Sequence, residues 1–180
     1  MSKIWLTSDT HFGHDKEFVW GARGFNSVDE MNIEIVKRWN EVVAPDDEVY
    51  HLGDVAMGGL ENLEWVDNLN GNIHFIRGNH CTDNRAARLG ATKYADVLKY
   101  GKYRFYLSHY PTLCANWDDN NRGLKGCTWN LCGHTHTTDP FVDMDKGLIY
   151  HVEMDAHQCR PCLLDDIVQD VTEYVTIQKD

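Results

Sequence analysis

At 180 residues the chain is the size of one domain and long enough to bury a substantial core, so a single domain spanning 1–180 is expected. Its 42% hydrophobic and 25% charged residues are ordinary for a globular protein, and no apolar run approaches the roughly 18 residues a membrane span needs. A formal net charge of −11 argues against binding long duplex nucleic acid, which requires a broad basic surface, but leaves a small phosphate ester open because bound cations reverse the sign locally.

Ile4-Trp5-Leu6 reads as a strand that runs into Asp9-Thr10-His11. From Ser27 to Val43 apolar residues recur at helical spacing, and Ser27-Val28-Asp29-Glu30 resembles a capping box. Ala44-Pro45-Asp46-Asp47 is a break, after which Glu48 to Leu52 reads as a strand ending at Gly53-Asp54. A short helix is expected from Glu61 to Leu69, then a turn at Asn70-Gly71-Asn72 into a strand from Ile73 to Ile76 that meets Arg77-Gly78-Asn79-His80. Tyr103 to Leu107 runs into Ser108-His109-Tyr110-Pro111, and Thr128 to Cys132 into Gly133-His134-Thr135-His136. Thr112 to Gly126, rich in Asn, Asp and Gly, reads as a surface loop, 147–154 as a late strand and Leu163 to Val171 as a short acidic helix. Strands interleaved with helices make an α/β architecture, and no linker or repeat interrupts it.

Five strand ends therefore carry Asp9-x-His11, Gly53-Asp54, Gly78-Asn79-His80, Ser108-His109 and Gly133-His134-Thr135-His136. In an extended chain residues i and i+2 point to one side, so Asp9 with His11, and His134 with His136, can each converge on one point. Glycine directly before Asp54, Asn79 and His134 permits the tight backbone paths needed where several strand ends crowd together. In α/β sheets ligands commonly bind beyond the carboxyl ends of strands, which is where all five segments fall.

The order and residue types match the pattern of the calcineurin-like metallophosphoesterase superfamily. The stretches DTHFGH, LGDV, SHYP and PCLLDDI most resemble its short bacterial and phage members. The resemblance covers nearly the whole chain and implies two mixed β-sheets packed as a sandwich and flanked by helices. By matched position Asp9, His11 and His136 would bind one metal and Asn79, His109 and His134 the other, with Asp54 bridging. Two divalent ions are implied, with Mn ranked first and Fe, Ni, Zn, Co or Mg as alternatives. His80 is the implied catalytic residue, protonating the leaving oxygen or stabilising the phosphoryl charge. The implied reaction is hydrolysis of a phosphomonoester or phosphodiester, such as a small nucleotide, by in-line attack of a metal-bound hydroxide. The alternatives are a metal-binding scaffold with the same fold and a protein phosphatase.

Residue chemistry supports the assignment independently. An aspartate can bridge ions about 3.5–4 Å apart, imidazole suits Zn, Fe, Ni or Mn, and Asn offers a neutral oxygen. Two divalent ions against two aspartates leave a site of about +2, suited to a phosphate ester. One departure is Cys81, which stands where the family pattern usually has Asp or Glu. The expectation is that His80 is a weaker base here or is oriented by another group.

His51 and His74 lie within strands, and alternation puts His51 on the face opposite Asp54, so packing or hydrogen bonding is expected of both. Nothing in the spacing of His151 and His157 singles them out. For His14 a contact to substrate phosphate and a loop-stabilising hydrogen bond stand equal. Among Arg23, Arg77, Arg122 and Lys125, cations that either neutralise phosphate or are simply solvated, Arg122 leads because its loop runs into the strand before His134. Trp117 either stacks on a base or anchors that loop. The six cysteines read as free thiols, and Cys159-Arg160-Pro161-Cys162 as strand and turn rather than a zinc site. Neither the basic nor the apolar region of a signal peptide is present, so a cytoplasmic protein acting on a small phosphoester, away from membranes, is expected, with oligomeric state and physiological substrate open.

Overall fold

Alternation within the first strand divides the interior in two. In the computed structural model, which describes residues 2–112, 129–143 and 148–177, β1 (Ile4–Thr7) turns Trp5 toward one hydrophobic core and Leu6 toward another. β2 (Glu48–His51) lies parallel to β1, β3 (Asn72–Phe75) lies parallel to β2, and β8 (Cys162–Leu163) is antiparallel on the far side of β1, giving the order β3-β2-β1-β8. The second sheet is β4-β5-β6-β7, formed by β4 (Ala95–Tyr100), β5 (Tyr103–Ser108), β6 (Trp129–Cys132) and β7 (Ile149–His151); only the β4–β5 pair is antiparallel. Leu6 and Leu52 from the first sheet meet Phe105, Leu107, Trp129 and Leu131 from the second, so the two mixed sheets pack face to face.

Helices close both cores. α2 (Val28–Asn40) buries Met31, Ile35 and Trp39, spaced four residues apart, in the Trp5 core. Its capping box is displaced: Ser27 Oγ accepts from Glu30 N at 3.1 Å, but the Glu30 carboxylate accepts from Asn26 N at 2.7 Å. The segment expected as a helix from Glu61 to Leu69 is a 3-10 helix over Leu60–Asn68. α4 (Leu164–Ile177) runs beyond the expected end and seals the inter-sheet core with Leu164, Ile167 and Val171. Sequence reading did not anticipate the short α1 (Glu17–Trp20), α3 (Asp83–Leu89) or strand β4, whereas β8 begins at Cys162, within the segment read as strand and turn. α3 nevertheless carries legible ends, with Thr82 Oγ1 accepting from Arg85 N at its start and Gly90 at φ +66° closing it. No helix among the described residues is long and apolar enough to cross a membrane.

The parallel registers align the carboxyl ends of the site-bearing strands. Thr7 pairs with His51 and His51 with Phe75 in one sheet, while Leu107 pairs with Leu131 in the other. Beyond these ends Asp9 N donates to Gly53 O at 3.0 Å on the first sheet's side and Gly133 N to His109 O at 3.0 Å on the second's, while a parallel bridge between Ser8 and Glu153 joins the two sheets.

Candidate metal centre

Each strand end must turn sharply to aim its polar side chain inward, and the backbone is strained accordingly. Asp9, His11, Asp54, His134 and His136 have φ of 58°, 51°, 55°, 78° and 53°, so they make up five of the seven non-glycine residues with positive φ among those described. Such conformations cost free energy and persist where the surroundings over-determine them, which is typical of binding sites. The glycines before the site residues serve close approach. A Cβ on Gly53, itself at φ +105°, would lie 2.7 Å from Gly78 N; on Gly78 it would lie 2.2 Å from Asp54 Oδ1, and on Gly133 2.2 Å from Asp9 Oδ2.

All seven side chains expected as ligands come together in two adjoining groups. In the first, His11 Nε2 is 3.0 Å from His136 Nε2, and Asp9 Oδ1 lies 3.5 Å and 3.8 Å from those two nitrogens. In the second, His109 Nε2 is 3.2 Å from His134 Nδ1 and 3.3 Å from Asp54 Oδ2, while Asn79 Oδ1 is 2.7 Å from His109 Nε2 and 3.0 Å from His134 Nδ1. Asp54 Oδ2 also lies 4.0 Å from His11 Nε2, so its carboxylate stands between the groups.

This donor set fits divalent cations. Asp9 Oδ1 is buried without a hydrogen-bond partner yet faces two imidazole nitrogens. His109 donates from Nδ1 to Leu52 O at 3.0 Å, which turns Nε2 toward Asn79, His134 and Asp54. So many acceptor atoms aimed at one another repel unless a cation or a proton lies among them.

The electrostatics carry the same mark. Burial pushes the Asp9 carboxyl up, but the His11 ring, the charge of His109 and the His134 amide together hold it well below the usual carboxylate range. Burial acts likewise on Asp54 and is likewise outweighed, chiefly by His109 and the His80 amide. Burial lowers His11 and His134; for His109 and His136 it is overcome by Asp54 and Asp155 respectively, so their protons are held more firmly.

His80 sits at the mouth. Its backbone N donates to Asp54 Oδ1 at 2.9 Å, its Nε2 is 3.9 Å from Asp54 Oδ2, and its side chain is 43% exposed. Cys81 Sγ lies by Thr82 O, so the carboxylate beside the His80 ring is Asp54. His14 stands at the rim between the His11 and Phe18 rings and accepts from Lys16 N at 3.4 Å, the loop-stabilising contact. Arg122, Trp117 and Lys125 lie outside the described residues. Cys159 and Cys162 are buried free thiols. As expected, His51 is packed and hydrogen-bonded, and His74 meets Glu48 at 2.5 Å on the surface.

Three supporting residues escaped sequence reasoning. Asp155 Oδ2 lies 3.1 Å from His136 Nδ1. Arg23, read as one of several surface cations, is buried and donates to Asp155 and to the Asp9 and Thr10 carbonyls. Glu153, fully buried, accepts from Thr135 Oγ1 at 3.1 Å and Thr137 N at 2.5 Å and so braces the turn carrying His134 and His136. Its other oxygen lies 3.2 Å from His151, which Asp143 contacts from the opposite side at 2.9 Å. The available signal was positional: Asp155 follows the last strand of its sheet much as Asp9 follows the first strand of the chain.

The family model of the calcineurin-like phosphoesterase superfamily domain matches residues 2–152. An uncharacterized protein, MJ1445, of Methanocaldococcus jannaschii is 35% identical over 176 residues, covering 94% of this chain and 91% of that one. The Gene 66 protein of Mycobacterium phage D29 is 30% identical over 185 aligned residues, covering 87% and 89%. Among solved structures, the protein of unknown function AQ665 from Aquifex aeolicus superposes with a TM-score of 0.73 at 20% identity, over 94% of this chain and 99% of that one, a likeness of fold.

Proposed function

The chain belongs to the calcineurin-like phosphoesterase superfamily, and from that premise we propose that it is a dinuclear metal-dependent hydrolase of a small phosphomonoester or phosphodiester, a nucleotide among the candidates. The observation that carries the reading is the convergence of seven donors in two adjoining groups, the first of which contains the buried, unpartnered Asp9 Oδ1. Asp9, His11 and His136 would hold one ion and Asn79, His109 and His134 the other, with the Asp54 carboxylate available to both. Mn ranks first on the family resemblance, with Fe, Ni, Zn, Co and Mg as alternatives that an imidazole and oxygen donor set also admits. When bound, such ions lower the pKa of a coordinated water toward neutrality and polarise the phosphoryl oxygens.

The remaining work falls to the chain. Two aspartates against two divalent ions would leave about +2, which attracts a phosphate ester, whereas a carboxylate-rich site would repel it. His80, at the mouth with its backbone fixed on Asp54, presents an exposed ring whose Nε2–H passes its proton to the leaving oxygen. His14 at the rim and Arg122 are the proposed phosphate contacts.

The test compares hydrolysis of a generic monoester, p-nitrophenyl phosphate, with that of a diester, bis(p-nitrophenyl) phosphate, across Mn, Ni, Zn, Co and Mg, with metal content measured on the purified protein. Metal-stimulated turnover is expected, and His80→Ala should lower kcat by about 10²–10⁴ without changing metal content. Absence of turnover with every ion and both esters refutes the hydrolase and leaves a metal-binding scaffold.

A further inference from the structure

One guanidinium ties together two parts of the chain that are remote in sequence and both feed the same ion position. Arg23 follows α1, and its side chain is 1% exposed. Its Nε and Nη2 donate to Asp155 Oδ1 and Oδ2 at 3.1 and 2.8 Å, a two-point grip on the carboxylate. The same group donates from Nη2 to Asp9 O at 2.6 Å and from Nη1 to Thr10 O at 3.0 Å. The carbonyls it holds belong to the Asp9-Thr10-His11 turn, in which Asp9 and His11 both have positive φ. Asp155 in turn meets His136 Nδ1 at 3.1 Å, leaving His136 Nε2 directed at His11 and Asp9. Thus all three side chains of the first group are set by one buried ion pair. The second group is backed differently: His109 rests its Nδ1 on the neutral Leu52 carbonyl.

We propose that Arg23 and Asp155 are positioning residues that set the affinity of the Asp9, His11 and His136 ion position and leave the Asn79, His109 and His134 position nearly independent of them. This rests on the dinuclear reading above. Physically, a carboxylate behind a ligating imidazole fixes the ring's tautomer and orientation and strengthens it as a donor. A planar guanidinium can hold that carboxylate and two backbone carbonyls at once, which a lysine ammonium cannot do in the same geometry.

The experiment titrates metal-free protein with Mn2+ by calorimetry and by electron paramagnetic resonance, comparing wild type with Asp155→Asn, Arg23→Lys and Arg23→Met. Wild type is expected to bind two ions and to show the exchange-coupled spectrum of a Mn pair. In Asp155→Asn, which keeps the shape of the side chain, one ion should bind about 10- to 100-fold more weakly and the other as in wild type. At intermediate Mn2+ the coupled spectrum should then give way to that of a single ion. Arg23→Met should behave the same way, and Arg23→Lys should lie between it and wild type. A purely structural role would weaken both ions together and lower the metal-free unfolding midpoint, and that outcome overturns the proposal. Two ions bound by Asp155→Asn as tightly as by wild type overturn it equally. A wild-type protein that binds no divalent ion instead refutes the metal centre itself.

Discussion

Acidification should destabilise the metal-free protein through His51, a histidine outside the donor groups. Its ring is fully buried between Trp39 and Phe75, with centroids 6.4 Å and 5.8 Å away. Thr10 Oγ1 donates to Val55 O at 2.8 Å, so at 3.0 Å it accepts from His51 Nε2–H; Gly53 N donates to His51 Nδ1 at 3.3 Å. Only the neutral ring with its proton on Nε2 satisfies both partners, since a second proton would face the Gly53 N–H. Burial pushes the group down to about 4 from the ordinary 6.5. A folded pKa below the unfolded one means that the unfolded chain takes up the proton first, so stability falls as pH drops through 6.5 and stops falling below about 4. For those two values the loss between pH 7 and pH 5 is about 2 kcal/mol, or roughly 1 M in the urea midpoint at a slope of about 2 kcal/mol/M. The assay is urea unfolding in EDTA at both pH values for wild type and His51→Gln, whose amide keeps a donor for Thr10. Other histidines titrate in both proteins, so the comparison isolates His51: the variant should lose about 2 kcal/mol less than wild type over this range. Equal losses refute the reasoning. Because Thr10 sits between Asp9 and His11, the same protonation should loosen the first donor group.

Gly133→Ala places a methyl 2.2 Å from Asp9 Oδ2 and 2.0 Å from Ser8 Oγ, and fully buried Asp9 has nowhere to retreat. Overpacking of this kind costs about 1–3 kcal/mol, and Mn2+ titration should show the first ion position weakened; wild-type affinity would contradict the close approach. Cys81→Asp restores the acidic residue usual at this position and should change the rate or the pH–rate profile; if both stay unchanged, the expectation that Cys81 leaves His80 less basic or oriented by another group is wrong. Removing metal with EDTA should lower the thermal midpoint, and Mn2+ at about 100 times its dissociation constant should restore about 2.7 kcal/mol per ion, readable by calorimetry. A midpoint indifferent to every divalent ion would count against the centre.

The local chemistry of the site is legible in the chain itself. Asp-x-His and His-x-His after apolar runs, with glycine ahead of Asp54, Asn79 and His134, announce strand ends crowding one point, and periodicity locates α2 and most strands. These signals work because strand and helix periods, and the conformational freedom of glycine, act over a few residues. What they do not carry is which distant side chain stands behind a ligand. Arg23 and Asp155 are 132 residues apart, and Thr135 reaches Glu153 beyond the ends of the neighbouring strands β6 and β7; no local spacing encodes either contact. Positive φ at five site residues other than glycine also contradicts local preference and is held in place by its surroundings. Sequence by itself thus determined the donor types and their order along parallel strand ends. Tertiary structure alone decided their orientation, because rings and carboxylates are aimed by buried partners that only the packing of one sheet on the other brings within hydrogen-bonding distance.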